Sequence, residues 1–339
     1  MRIRHAVIAL AAVAALGSSA FAADPQYKKI KDIVIGGSGG WDYLKVDSEA
    51  QRLYVSHGTK VEVIDLKEDK PIGAIANTPG VHGIALAPEL KRAFTSNGQG
   101  NSSSIIDLDS KDDAGKPTFK EIMTVKTGGN PDWIYFEPST GEVWTCNGRN
   151  PNSLTVFEAK TGKVLADAVP TGGKPETAQA DAKLNRMFVN IEDKNEVISV
   201  DLKEHKVLER WPLGAGNSGP TGMAYVADLQ RIIVGCSKMV MMDATNGKVV
   251  STLACGNGVD AASYDPGTKL AFVSAGGNGT VTIAKVEADK LTLVQTLTTE
   301  RGARTMTIDP KTHKIYLSST GTGGFKVLVY GIDEAAAKP

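Results

Sequence analysis

Beyond its opening segment the 339-residue sequence contains no apolar run long enough to cross a bilayer, which takes ~20 residues, so membrane insertion is not expected. It also carries no surplus of positive charge. Its 38 basic residues balance 38 acidic ones, whereas a nucleic-acid surface usually shows as a clustered basic excess, so nucleic acid is not an expected partner. Helical hydrophobic patterns are nearly absent. The short catalytic signatures are missing too: there is no Gly-x-Ser-x-Gly elbow, no phosphate-binding glycine loop, no Cys-x-x-Cys-His haem attachment, and no EF-hand loop or His-x-x-x-His pair. Those absences argue against several cofactors, but not against a site assembled from distant parts of the chain. Cysteine is scarce, with Cys146, Cys236 and Cys255 alone, and in an oxidising compartment an odd count leaves at least one thiol unpaired.

Glycine, by contrast, is plentiful at 36 residues, and it falls in turns such as Gly128-Gly129-Asn130 and Gly172-Gly173-Lys174. Those turns punctuate a repeat. Leu53 to Leu66, LYVSHGTKVEVIDL, reads as two alternating apolar strands around a polar turn, and the pattern returns from Arg92, Glu142, Arg186, Arg231, Leu270 and Lys314. A third short strand usually follows, such as Lys163 to Val169. Ahead of each hairpin lies another apolar segment, for example WDYLKVD from Trp41, VHGIALAP from Val81 and PDWIYFEP from Pro131. The second residues of these segments are Asp42, His82, Asp132, Glu176, Thr221, Asp260 and Arg304, spaced by 40, 50, 44, 45, 39 and 44 residues. Four strands in about 40 to 45 residues make one propeller blade. The longest interval holds DSKDDAGKPT, Asp109 to Thr118, which reads as a surface loop. The fold class is therefore all-β, a seven-bladed β-propeller over residues 23–333. Its last repeat lacks an outer strand, so Tyr27 to Ile35, YKKIKDIVI, is expected to supply it and close the ring.

Residues 1–22 read as a cleaved signal peptide. Arg2 and Arg4 form the positive region, Ala6 to Leu16 the apolar region, and Ala20-Phe21-Ala22 a small-x-small cleavage site. The expected location is a bacterial periplasm or the exterior. Without Arg2 and Arg4 the 38 basic residues become 36 against 38 acidic ones, which is close to neutral. Residues 334–339 read as a frayed tail.

The run LYVS…VEVIDL with GVHGIALAP after it resembles the YVTN repeat, and the exported seven-repeat arrangement is similar to the YncE-like periplasmic β-propellers. The resemblance spans essentially the whole mature chain. It implies the propeller fold, and it implies for function one of several roles: single-stranded DNA binding, surface-layer assembly, or the lactonase and oxidoreductase activities of similar propellers. Fold alone does not choose among them.

In such a ring the segment leading into each innermost strand opens on one face, so Asp42, His82, Asp132, Glu176, Asp260 and Arg304 are expected around a single mouth, with Thr221 completing the circle. Four carboxylates, an imidazole and a guanidinium from six blades form a ligand-type constellation. Trp41, beside Asp42, could stack on a ligand, and His57 lies in a turn that supplies no core reason for an imidazole. Trp133 has the same option as Trp41 but fits a wedge between blades better. Cys236 and Cys255 could reach the same face and form a disulfide. The first expectation is a binding or scaffold protein whose partner is a small polar or cationic ligand, or a periplasmic or envelope protein. The alternative is a metal-dependent lactonase or esterase, because the carboxylates suit a divalent cation and His82 a transition metal. Single-stranded DNA binding is the second alternative, and the acidic anchors do not suit it.

Overall fold

The computed structural model describes residues 24–321 and 323–334. The signal segment expected at residues 1–22, and all of the expected tail beyond Glu334, lie outside the described residues. Within them, 28 strands form seven four-stranded antiparallel sheets, each built from strands consecutive in sequence except the last. The innermost strands of blades 1 to 7 are Leu44–Asp47, Val81–Ala87, Pro131–Glu137, Pro175–Asp181, Gly222–Val226, Val259–Asp265 and Met306–Asp309.

The second strand of each blade is covered on both faces by its neighbours. Arg52–His57 and Leu270–Ala275 are buried almost end to end, which is why these strands read as near-continuous runs of apolar and small residues. Outer strands have little to cover them. Glu121–Lys126 is mostly exposed, and its sequence pattern is correspondingly weak.

Buried apolar side chains gather between blades, not within them. Among the described residues they form seven clusters, one at each blade interface. Between blades 2 and 3, Phe94 packs on Phe136 and Phe157 with ring centroids 6.1 and 6.2 Å apart. Between blades 5 and 6 the inner strands approach so closely that a Cβ on Gly222 would lie 2.5 Å from the backbone of Ala261 and Ala262. Only glycine fits there.

The acidic residue that ends several inner strands has a local cause. Asp47, Asp181 and Asp309 accept hydrogen bonds from backbone N–H groups two or three residues further on, which closes the turn into the second strand. Some also hold the next blade: Ser48 Oγ donates to Asp309 across 2.5 Å, and the Tyr225 hydroxyl donates to Asp181.

The ring closes as the sequence implies. Tyr27–Val34 pairs antiparallel with the last strand, Lys326–Ile332, from Tyr27 opposite Ile332 to Val34 opposite Lys326. The first strand is therefore the outer strand of blade 7. Among the described residues no helix is long and apolar enough to cross a membrane.

Ile33, 2% exposed, packs from this closing strand into the cluster between blades 7 and 1. Ile33→Ala is expected to destabilise the ring by about 2–4 kcal/mol, as a buried large-to-small change does. Urea unfolding monitored by tryptophan fluorescence reads this loss, and an unchanged midpoint would show that the seam carries little of the stability.

Candidate functional site

Each anchor residue sits where its strand is not yet paired. In blades 2, 3, 4 and 6 the register with the second strand slips between Val81 and Ile84, Pro131 and Ile134, Pro175 and Ala178, and Val259 and Ala261. In blades 1, 5 and 7 the inner strand begins after the anchor. Such irregularities re-aim a side chain that regular pairing would direct across the sheet. Here six of the seven side chains turn toward the ring axis, Thr221 being the exception.

The freed backbone is then gripped from the preceding blade. Ser96 Oγ donates to the carbonyl of Asp132, and Ser274 Oγ to that of Arg304. Thr305 Oγ1 at 2.6 Å and Ser318 Oγ at 3.3 Å donate to the carbonyl of Asp42, whose N–H donates to Ser56 Oγ at 2.7 Å. In blade 4, Thr177 Oγ1 donates to the carbonyl of Thr221, while Asn190 Nδ2 donates to that of Gly222 at 3.0 Å. These bonds hold the anchors in place without using their side chains.

Five of those side chains form one chain across five consecutive blades. His82 Nδ1 lies 2.7 Å from Asp42 Oδ2 and 3.7 Å from Asp132 Oδ1. On the other side of Asp42, Arg304 Nη2 lies 3.7 Å from Oδ1, and Arg304 Nε meets Asp260 Oδ2 at 2.9 Å. Glu176, in the fourth blade, is buried and bound by Lys174 Nζ at 2.6 Å, which also meets Glu192 at 2.6 Å. Thr221 turns away and donates to the carbonyl of Val259 at 2.9 Å.

Carboxylates outnumber cations here, and burial makes this costly. Burial, reinforced by the charge of Asp42, pushes the Asp132 carboxyl up to about 6 and that of Asp260 up to about 7. Burial and the charge of Asp132 push Glu176 up to about 9 against the pull of Lys174. The pKa of His82 is raised as well: burial opposes its charge, but the Asp42 hydrogen bond and the charges of Asp132 and Asp42 prevail. Asp132 Oδ1 is buried without a hydrogen-bond partner. The facing oxygens and nitrogens of Asp42, His82 and Asp132 all lie within 4.8 Å of one another, close enough to hold one metal ion.

Two features of this mouth went unread in the sequence. Lys174 reads in sequence as part of a glycine turn, although its position two residues before Glu176 on an extended segment puts both on one side. Tyr43 follows an anchor and carries no signal of its own in the repeat. It is buried beneath the acidic cluster, where burial and then the charges of Asp132, Asp260, Asp42 and Glu176 hold its hydroxyl protonated. Its ring meets Trp133 edge-on at 4.8 Å, and Trp133 Nε1 donates to the carbonyl of Ala178 at 3.0 Å. Tyr43 and Trp133 form a floor. Below it the inner strands enclose an axial channel of ≈ 250 Å³, and none of the six anchors lines it.

Three expectations are corrected. His57 is not an exposed turn residue but is 3% exposed, with Nδ1 2.9 Å from Glu62 and its ring 4.3 Å from that of Phe325. The segment containing Gly37 and Gly39 folds over it. Trp41 is half-buried, its ring tilted 6.4 Å from that of Phe325 and packed against the cluster between blades 7 and 1, the setting of an interblade wedge. Cys236 and Cys255 are free thiols, not a disulfide: the Sγ of Cys236 is directed at the carbonyl of Lys238, 3.1 Å away, and that of Cys255 at the carbonyl of Cys236, 3.6 Å away.

The three raised carboxyls bind their protons more tightly folded than unfolded, so ionising them weakens the fold. Stability is expected to fall as pH rises from about 4 through their folded values, about 6, 7 and 9. His82, with its raised pKa, acts in the same direction, since its favourable charge is lost as pH rises. Asp132→Asn removes one ionisation and is expected to stabilise the protein by about 1–3 kcal/mol at pH 8, with little effect near pH 3, where this carboxyl is protonated in the folded and the unfolded chain alike. Thermal melts of both proteins across this range test the point, and an equal gain at both pH values would contradict it.

No family model matches the chain, and no curated protein matches it with significance. Among solved structures, one chain of the hydrazine synthase of Kuenenia stuttgartiensis superposes with a TM-score of 0.73, covering 93% of this chain and 98% of that one. The two are 15% identical, a likeness of fold alone. What this comparison and the seven four-stranded sheets establish together is the architecture: the chain is a seven-bladed β-propeller.

Proposed function

We propose that this propeller is an exported, YncE-like binding protein whose acidic mouth takes a small polar ligand bearing positive charge, or a basic group of an envelope partner. One observation carries the reading: Asp42, Asp132, Glu176 and Asp260 converge on one opening with too few cations to neutralise them, and burial delays the ionisation of Asp132, Asp260 and Glu176 to about pH 6, 7 and 9. A bound cation supplies the missing charge. Arg304, with 47% of its side chain exposed, stands at the rim, where it can turn out to admit the ligand to Asp260 and Asp42. Phosphate groups of a single strand of DNA would meet four carboxylates, so the mouth does not favour that partner.

A second reading has its own support. The cluster of Asp42, His82 and Asp132 offers two carboxylates and an imidazole, a donor set suited to a divalent transition metal. A metal held by these three residues would lower the pKa of a bound water, and Asp260, joined to Asp42 through Arg304, is the carboxylate that would serve as base for hydrolysis of a lactone or ester.

Cation binding to carboxyls that are partly protonated releases protons, so affinity is expected to rise between pH 6 and pH 8. Isothermal titration with putrescine and with Mn²⁺ or Zn²⁺ separates the readings. Under the first, putrescine binds and Asp260→Asn weakens it by about tenfold, as loss of a buried charge partner does. Under the second, the metals bind, raise the melting temperature, and lose that effect in His82→Ala. Absence of binding by every cation at pH 8 would sink both.

A further inference from the structure

The channel beneath the floor has chemistry opposite to that of the mouth. Three residues beyond each anchor, the inner strands present a second ring of equivalent positions, all lining the channel. Five of these are Lys45, Tyr135, Gln179, Ser263 and Thr307, and the other two are alanines. Lys45 is the one charged side chain among the lining residues, and no carboxylate lines the channel. Among the described residues, no hydrogen bond or ion pair engages the side chain of Lys45, Gln179, Ser263 or Thr307. A ring of donors around a lone ammonium, with no acceptor of opposite charge, is a site short of an anion.

The surroundings fit the rest of such a ligand. Leu44, Leu86, Ile134, Phe136 and Ile308 line the same ≈ 250 Å³, which limits the ligand to a small body with an apolar surface. Lys45 is exposed by surface area, yet the protein around the channel still desolvates it, and with no opposing charge beside it this lowers its pKa. An anion beside it would reverse that. Access through the mouth is closed to anions twice over, by the Tyr43–Trp133 floor and by the four carboxylates above it. The ligand therefore enters from the opposite face of the ring.

We infer that the axial channel is a second binding site, independent of the mouth, for a small organic anion whose carboxylate pairs with Lys45 Nζ while Gln179, Ser263 and Thr307 complete its hydrogen bonds. The site goes beyond the cation-binding role assigned to the mouth and does not depend on it.

Benzoate tests the charge requirement against its neutral isostere benzamide, using isothermal titration and melting temperature of the full mature chain at pH 7.5. Benzoate is expected to bind and to raise the melting temperature with concentration, and benzamide to do neither. Lys45→Met is expected to weaken benzoate by about tenfold or more, as loss of a charged partner does, while Lys45→Arg retains binding. Lys45→Gln replaces the methionine variant should the latter not fold. His82→Ala, at the mouth, is expected to leave benzoate affinity unchanged. Equal binding of benzoate and benzamide, benzoate binding that survives loss of the lysine charge, or no benzoate binding at millimolar concentration would each overturn the inference.

Discussion

Everything at the axis of this ring depends on hydrogen bonds that cross from one blade to the next. Serine, threonine and asparagine side chains on inner and second strands donate to the carbonyls of the following blade: Ser96 to Asp132, Thr177 to Thr221, Ser274 to Arg304, and Thr305 with Ser318 to Asp42. The last of these bonds joins blade 7 to blade 1, so the same device that spaces the blades also seals the circle. Unpaired backbone at the start of each inner strand would otherwise be buried unsatisfied, at a cost of about 1–3 kcal/mol per group. Apolar packing between blades supplies the bulk of the cohesion, but it is non-directional. The hydroxyl grips supply position.

Position at the axis creates an electrostatic conflict. Once the anchors are held inward, Asp42 is shared between His82 on one side and Arg304 on the other, and Asp132 is left with a buried oxygen lacking a hydrogen bond. Like charges under low hydration repel, and with only His82, Arg304 and Lys174 to offset them the carboxyls Asp132, Asp260 and Glu176 hold their protons to higher pH than usual. Sites that give up stability in this way are commonly those that bind something. The acidic mouth and the lysine-bearing channel are separated by the Tyr43–Trp133 contact, so one axis carries two regions of opposite charge preference.

The residues whose reading failed share a cause. His57 ends a strand and precedes Gly58, which in sequence reads as an exposed turn, but the segment around Gly37 and Gly39, which links the closing strand to blade 1, covers it. Trp41 precedes an anchor by one position, and on an extended segment that one step points it to the opposite side, into Phe325 of blade 7. Trp133 stands one position after its anchor and reaches the channel instead. Cys236 and Cys255 lie near each other, yet each sulfur has turned to a carbonyl. In every case the deciding contact is a matter of side-chain direction and cover, which the repeat pattern does not carry.

Periodicity was legible in the chain itself, because each blade must repeat the same alternation of buried and exposed positions to pack against two similar neighbours. From that repeat follow the number of blades, the orphan strand at Tyr27–Val34 that completes the seventh, and the six anchors at one recurring position. Tertiary structure alone decided which of those anchors touch, that Lys174 and Tyr43 join them, and that Lys45 lies in a compartment of its own. Strand repeats encode the distance along the polypeptide at which equivalent positions recur. Side-chain contacts across a ring axis depend on rotamer, burial and bulge, which no single repeat specifies.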